Sequence, residues 1–331
     1  MAAVALDEGE LRARAEAVLD AASPGSELGE IVPLHGGHSS LTFWANWTMS
    51  SSSTEKVVLK VAPPGLAPTK NRDVLRQARL QQALQSTGVP CPGVIAQHPG
   101  APPEIPPFYV MTFEEGDCVE PGGGGDHVPE DEVRPRELHA ARILGALHSL
   151  DPNDLGMGDE PEVTPEQELE RWSSSFEACD EDLREGHEVV LQRLAESVPP
   201  KDQSTLIHGD FRLGNTLSQG TEVVSVIDWE IWARSDPRVD LAWFLLMCNP
   251  DPELGRPVGA GMPGNDELLD VYQRHRGAEV KEMPWFEALV RYKQGAITAL
   301  LIRNARKRGD TSLPNVAGRL LDAAHKRFAD R

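Results

Sequence analysis

What the chain lacks narrows its function first. Its four cysteines, Cys91, Cys118, Cys179 and Cys248, are far apart and form no C-x-x-C pair. That argues against a zinc site or disulfide framework and predicts free thiols in a reducing cytoplasm. No apolar run is long enough to cross a bilayer. The N-terminal stretch carries acids from Asp7 onward and has no apolar core of a signal peptide. Basic residues are in deficit, 32 Lys+Arg against 52 Asp+Glu, for a formal charge of −20. Such a surface repels nucleic acid and anionic membranes, so neither is expected as a partner. G-x-x-x-x-G-K-[ST], H-E-x-x-H and G-x-S-x-G are all absent, which removes P-loop, zincin and serine-hydrolase chemistry. Gly259 to Gly264 matches G-x-G-x-x-G formally, but it follows no strand and contains Pro263.

What remains is an ordinary globular composition, 40% hydrophobic and 25% charged over 331 residues. That length accommodates two lobes. Asp7–Ala21 reads as an amphipathic helix. Strands follow over Leu28–Leu34, Leu41–Met49 and Lys56–Val61 (KVVLKV), with the turn His35-Gly36-Gly37-His38-Ser39-Ser40 between the first two. A helix over Thr69–Ser86 and short strands over Val94–Ala96 and Phe108–Phe113 complete an antiparallel N-terminal lobe. Glu114–Glu132, with Gly122–Gly125, reads as a linker. Beyond it the pattern is mainly helical: Glu130–Leu150, Pro165–Glu177, Cys179–Ser197, Pro237–Cys248, Asp266–His275, Pro284–Arg308 and Leu313–Ala329. The expected class is α+β, with an N-terminal domain at 1–116 and a C-terminal domain at 117–331.

The exception within the helical half is Leu206–Glu230, LIHGDFRLGNTLSQGTEVVSVIDWE. Asp210 is followed five residues later by Asn215, and a β-branched run then delivers Asp228. Two carboxylates and a carboxamide are hard oxygen donors suited to Mg²⁺. The order base, Asn, second Asp is that of a kinase catalytic loop, which makes Asp210 the candidate base and Asn215 and Asp228 the candidate metal ligands. An Asx-turn at Asn215 and a cap at Asp228 would leave this spacing unexplained. His208 reads as a packed support for the loop, and Glu230 as either a further metal ligand or a turn cap. Lys60, on the buried side of its strand, requires an anion, which ATP phosphates would supply. Residues 36–40 could lay backbone N–H groups over those phosphates. Asp236-Pro237 reads as an N-cap with proline at N1. Asp240, one turn into an apolar helix, is expected to fasten the catalytic loop.

With these residues in order, the sequence resembles the aminoglycoside phosphotransferase-type family of small-molecule kinases, which share a bilobal protein-kinase-like fold. The resemblance rests on HGDFRLGN, VIDWE and DPRVDLAW, supported by GGHSSLTF, VVLKV, TGVPCP and FYVMTFEEG. ALHSLDPNDLGMG and YKQGAITALLI look like the branch related to hydroxyacyl-CoA phosphotransferases. The resemblance implies ATP and Mg²⁺ as cofactors, Lys60 on the phosphates, and backbone groups of Phe108–Glu115 on the adenine. Two departures stand out. The helix after Lys60 contains no Glu, so Asp73 or Gln77 is the candidate to orient that lysine, and Ser40 stands where relatives often carry Asn.

The expected reaction is phosphoryl transfer to a hydroxyl of a small molecule. A catalytically weak or silent kinase-like binding protein is the alternative. Fourteen acids against Arg171 and Arg184 between Asp151 and Glu188 favour a cationic acceptor, whereas Arg303, Arg306, Lys307 and Arg308 favour an anionic one. Acceptor, ATP-versus-GTP preference and oligomeric state are not encoded legibly.

Overall fold

The computed structural model describes residues 6–34, 40–120, 128–250 and 262–328. They form two compact units: Met1–Asp117 with Thr216–Gln219 and Val223–Trp232, and Cys118–Asn215 with Gly220–Glu222 and Ala233–Arg331.

In the first unit, Asp7 caps α1 (Glu8–Ala22) by accepting from Glu10 N at 3.0 Å, and Leu11, Ala15 and Leu19 form its buried stripe. The expected strand over 28–34 divides into β1 (Glu27–Leu28) and β2 (Val32–Leu34), and both pair antiparallel with β3 (Leu41–Thr48). β4 (Thr54–Val61) begins two residues earlier than its apolar pattern suggests, because Thr54 and Glu55 continue the pairing with β3. One side of this sheet buries Phe43, Ala45, Val57, Leu59 and Val61 with the α1 stripe. α2 (Val74–Leu84) is shorter than expected. Lys70–Arg72 form a separate 3₁₀ turn, and Asp73 then caps α2 through Arg76 N at 3.0 Å. β5 (Val94–His98) pairs with β6 (Phe108–Thr112), and β6 pairs with β4, placing Lys60 opposite Tyr109.

In the second unit, α3 (Glu130–His148) and the short β7 (Glu162–Val163) precede α4 (Pro165–Glu177). A reciprocal Thr164/Gln167 capping box and Pro165 start α4. The helix expected over 179–197 is interrupted: Glu181–Leu183 make one 3₁₀ turn, Gly186 adopts φ 82°, and α5 spans only His187–Glu196. β8 (Thr205–Ile207) leads into the Asp210 loop. The chain then forms the hairpin β9 (Thr216–Gln219) and β10 (Glu222–Val226). Most of this hairpin belongs with the first unit, where Ser218 exchanges backbone bonds with Asp117 and Val226 N donates to Pro90 O at 2.9 Å. Asp228 therefore falls in the first unit, although sequence order put it in the C-terminal domain at 117–331.

β11 (Ala233–Ser235), which no sequence pattern announced, pairs with both β8 and β7. α6 (Pro237–Cys248) is buried almost throughout. α7 (Asn265–Arg276), α8 (Met283–Lys307) and α9 (Ala317–Lys326) follow. α8 packs against α4, α6 and α9, and its Trp285, Phe286, Leu289, Tyr292 and Ala296 join Trp172, Phe176 and Trp243 in the largest core. α9 starts four residues later than expected, after Pro314. The expected features at Gly36–Ser39, Gly122–Gly125, Gly259–Gly261 and Ala329 lie outside the described residues. Among the described residues no helix is long and apolar enough to cross a membrane.

Candidate active site

Lys60 and Asp228 meet within the first unit. β4 is covered on both faces, which buries Lys60 to 8% exposure on the side shared with Tyr109 and α2. Its Nζ donates to Asp228 Oδ1 at 3.0 Å. The Asp228 side chain is 43% exposed. Its backbone is left-handed (φ 64°, ψ 53°), which costs a non-glycine residue about 1 kcal/mol and is tolerated best by Asn and Asp. The following turn is anchored at both ends. Trp229 Nε1 donates to Val226 O at 2.9 Å, and Arg76 stacks 3.7 Å over the Trp232 ring while donating to Trp232 O at 3.0 Å. Burial pulls the Arg76 pKa down, Arg79 adds to that, and Asp73 opposes it.

Neither acid-like candidate on α2 orients Lys60. The Asp73 carboxylate is the α2 N-cap. Gln77 is buried at 1% exposure and donates its Nε2 to Asn71 O at 3.2 Å, while its Oε1 has no partner. The carboxylate that Lys60 meets is that of Asp228. Ser40 is buried immediately before β3, Gly36–Ser39 lie outside the described residues, and Glu230 is half-buried in the turn after Asp228.

Asp210 and Asn215 are assembled within the second unit. Gly209 adopts φ 88°, a conformation glycine allows, so the chain can turn sharply between His208 and Asp210. Asp240, fully buried on α6, accepts from His208 N at 2.7 Å and Gly209 N at 3.0 Å. Burial raises the Asp240 pKa, but His148 and the backbone N–H of His208 outweigh it, leaving the carboxyl below its usual range. His148 Nε2 lies 3.4 Å from Asp240 Oδ2, and His148 Nδ1 bonds the Tyr272 hydroxyl at 2.8 Å. Burial holds the His148 pKa low. His208 is fully buried, and its Nδ1 accepts from Asp210 N at 3.2 Å.

The Asp210 carboxylate, 29% exposed, is gripped on both oxygens. Trp243 Nε1 donates to Oδ1 at 2.7 Å and Asn215 Nδ2 to Oδ2 at 2.8 Å. Asn215 Nδ2 also donates to Asp210 O at 2.8 Å, so its amide nitrogen is committed and its oxygen is the donor atom left for a cation. Arg212 Nε is 3.4 Å from Asp210, and Arg212 Nη1 and Gly214 N both donate to Glu120 Oε2 at 2.8 Å. A Cβ on Gly214 would stand 2.0 Å from Arg212 Nη1 and 2.6 Å from that oxygen, so a larger residue would have to push the Arg212–Glu120 pair aside. Burial lowers the Arg212 pKa, but Asp210 and Glu120 together raise it overall. Asp236 caps α6 through Arg238 N and also binds the Arg238 guanidinium at 2.9 and 2.7 Å.

Sequence reasoning missed Trp243, Glu120, Arg212 and Lys293. Trp243 was findable, three residues after Asp240 on the same helix face. Lys293, a lysine within the apolar run of α8, was the other visible signal. The two charge-based expectations for the acceptor weaken each other: Arg306 pairs with Asp180 and Asp182 at 3.4 and 2.7 Å, and Arg303 donates to Ala178 O. Arg306 is thus engaged with the same acidic stretch that suggested a cation.

Comparison with known proteins follows the same lines. The model of the phosphotransferase enzyme family matches residues 30–289. Acyl-CoA dehydrogenase family member 11 of Pongo abelii is 28% identical over 81% of this chain and 35% of its own length. Family member 10 of Mus musculus is 27% identical over 66% of this chain and 20% of its own. The chain thus spans about a third or less of the curated relatives it matches. Among solved structures, a candidate aminoglycoside phosphotransferase from Ralstonia eutropha has a TM-score of 0.74 at 19% identity, covering 98% of this chain and 97% of that one. An aminoglycoside phosphotransferase in complex with GDP and kanamycin has a TM-score of 0.61 at 15% identity, covering 96% and 99%. These structural likenesses show the bilobal α+β kinase-like fold.

Proposed function

The chain belongs to the phosphotransferase enzyme family, and from that premise we propose that it transfers the γ-phosphoryl group of ATP to a hydroxyl of a small molecule. The observation that carries the reading is the Asp210 carboxylate, partly exposed, aimed by Trp243 and Asn215 on a loop that buried Asp240 pins. Phosphoryl transfer needs positioning and charge neutralisation more than covalent chemistry. Asp210 orients the acceptor hydroxyl and takes its proton. Lys60 leaves Asp228 to bind phosphate oxygens. Gly36, Gly37, His38, Ser39 and Ser40 offer backbone donors to the same phosphates, and Phe108–Glu115 offers backbone groups to the base.

A carboxylate and a carboxamide oxygen fit Mg²⁺, which is commonly held by one or two protein oxygens together with phosphates. Asn215 and Asp228 would hold it, Glu230 being a further candidate, and the ion would neutralise charge on the β- and γ-phosphates. On this reading the first unit binds nucleotide and the second supplies the base and the acceptor site. Four free cysteines support a reducing, cytoplasmic setting.

The GDP–kanamycin complex, and another relative's ternary complex with AMP-PNP and hygromycin B, support nucleotide and small-molecule chemistry without naming this chain's acceptor. The test is Mg²⁺-dependent ATP consumption with aminoglycosides, macrolides, choline-like alcohols and hydroxyacyl-CoA esters in turn, repeated with GTP. Turnover with one class that stops on chelation supports the proposal. Gln77 in place of an acid favours the second reading, a weak or silent binding protein. Nucleotide binding without turnover on any acceptor would select it, and no binding at all would sink both.

A further inference from the structure

Among the described residues, Lys293 is the one strongly buried cation beside Asp210 that the proposed reaction leaves unused. It lies on α8 at 5% exposure. Its Nζ sits 4.0 Å from the centre of the Trp243 ring and 5.6 Å from that of Trp172, between two indoles. It donates to Gly209 O at 2.8 Å. Among the described residues no carboxylate lies within ion-pair distance of it. A buried ammonium held this way is costly unless something specific compensates it. Burial pulls its pKa below the usual lysine range; the more distant charges of Asp210, Glu168 and Asp240 oppose that and Arg171 adds to it. The compensating contacts are one carbonyl and two ring faces.

The placement of those contacts is informative. The carbonyl belongs to Gly209, the left-handed residue immediately before Asp210. The nearer indole is the one whose Nε1–H donates to Asp210 Oδ1 at 2.7 Å. A cation on the face of an indole draws electron density from the ring, and hydrogen bonds in a low-dielectric site polarise one another. One ammonium therefore acts on Asp210 twice, through its backbone and through its side-chain donor. Trp172 closes the far side and is itself fixed by Glu168, which accepts from its Nε1 at 3.0 Å.

We propose that Lys293 is a positioning residue that sets the orientation of the Asp210 carboxylate through Trp243 and the Gly209 carbonyl. This rests on the reading of Asp210 as the group that takes the acceptor proton. The test pairs a readout that needs no activity with one that does. In ¹⁵N-labelled protein each of the seven tryptophans gives an indole N–H signal, and Trp243→Phe identifies the relevant one by its loss. In Lys293→Met that signal should move upfield and exchange with solvent about tenfold faster, the scale of one lost hydrogen bond. Lys293→Arg, which keeps the cation, should restore both. In Mg²⁺-dependent turnover, Lys293→Met should lower kcat with KM for ATP unchanged, and Lys293→Arg should recover most of it.

A folded Lys293→Met whose Trp243 signal and exchange match wild type overturns the proposal, whatever its turnover. If wild type turns over no acceptor, the phosphotransfer reading fails while the indole signal still decides the link from Lys293 to Asp210. Should Lys293→Met not fold, Trp243→Phe carries the test: it removes the donor to Asp210 and should lower kcat at unchanged KM for ATP. An unchanged kcat there overturns the proposal.

Discussion

Lys60–Asp228 in the first unit and the Asp210 loop in the second are held in opposite ways. Lys60 and Asp228 satisfy each other through one 3.0 Å contact, and Asp228 is 43% exposed. Asp210 receives side-chain donors on both oxygens, and its loop is tied by a carboxylate with no exposure at all. Lys60 is buried and Asp228 is its more exposed partner, so an incoming anion can displace Asp228 while keeping the buried ammonium paired. A carboxylate fixed before any ligand arrives has its reorganisation cost already met by folding. The difference teaches which half adapts to ligand and which is built to be rigid.

Breaking the rigid half should have the largest effect. Asp240→Ala strands the backbone N–H groups of His208 and Gly209 and removes a buried charge. It should cost about 3–5 kcal/mol in denaturant unfolding. A loss under about 1 kcal/mol would mean that the loop is held by something else.

The rigid half also contains a buried acid, which makes its stability depend on pH. Glu137 on α3 is 1% exposed, its Oε2 has no partner, and burial pushes its pKa up to about 8, against a smaller pull from Cys248. The folded form therefore holds a proton that the unfolded chain releases near 4.5. The sign follows: this group's contribution is fully present below about 4.5, falls as pH rises, and is lost above about 8. The fall should be a few kcal/mol at most, and Glu137→Gln should flatten it. Unfolding midpoints at pH 5 and pH 8 for the two proteins check this.

The adaptable half should respond in binding rather than folding. Lys60→Met should weaken ATP binding about 10- to 100-fold, the scale of a charge-assisted hydrogen bond. Its melting temperature should stay near that of wild type. A large stability loss would show that the Lys60–Asp228 pair is structural. The smallest effect is expected at Asp73. Asp73→Ala should cost about 1 kcal/mol as a lost helix cap and leave nucleotide affinity unchanged. A drop in affinity comparable to that of Lys60→Met would restore Asp73 as the group that orients Lys60.

Features carried by local patterns were legible in the sequence. The Asp210–Asn215 spacing, the strand bearing Lys60 and the Asp236-Pro237 helix start each depend on residues close together in the chain, as do most helices. Non-local pairings were not legible. β11 exists because three unremarkable residues, Ala233–Ser235, meet β8 and β7. The hairpin that carries Asp228 into the first unit depends on backbone bonds to Asp117 and Pro90, more than a hundred residues away in sequence. The partner of Lys60 in the fold comes with that return and not from α2. The single helix expected over 179–197 failed for a local reason, the left-handed Gly186, which its otherwise continuous pattern masked.

The measurement closest to the central claim is Mg²⁺-dependent phosphoryl transfer from ATP by wild type and Asp210→Asn, with ATP binding measured on the same samples. Asn keeps the side-chain shape but cannot accept the hydroxyl proton. Transfer should fall by about 10²–10⁴-fold, the range for a lost general base, while ATP binds as in wild type. Equal transfer by the two proteins would contradict the role assigned to Asp210.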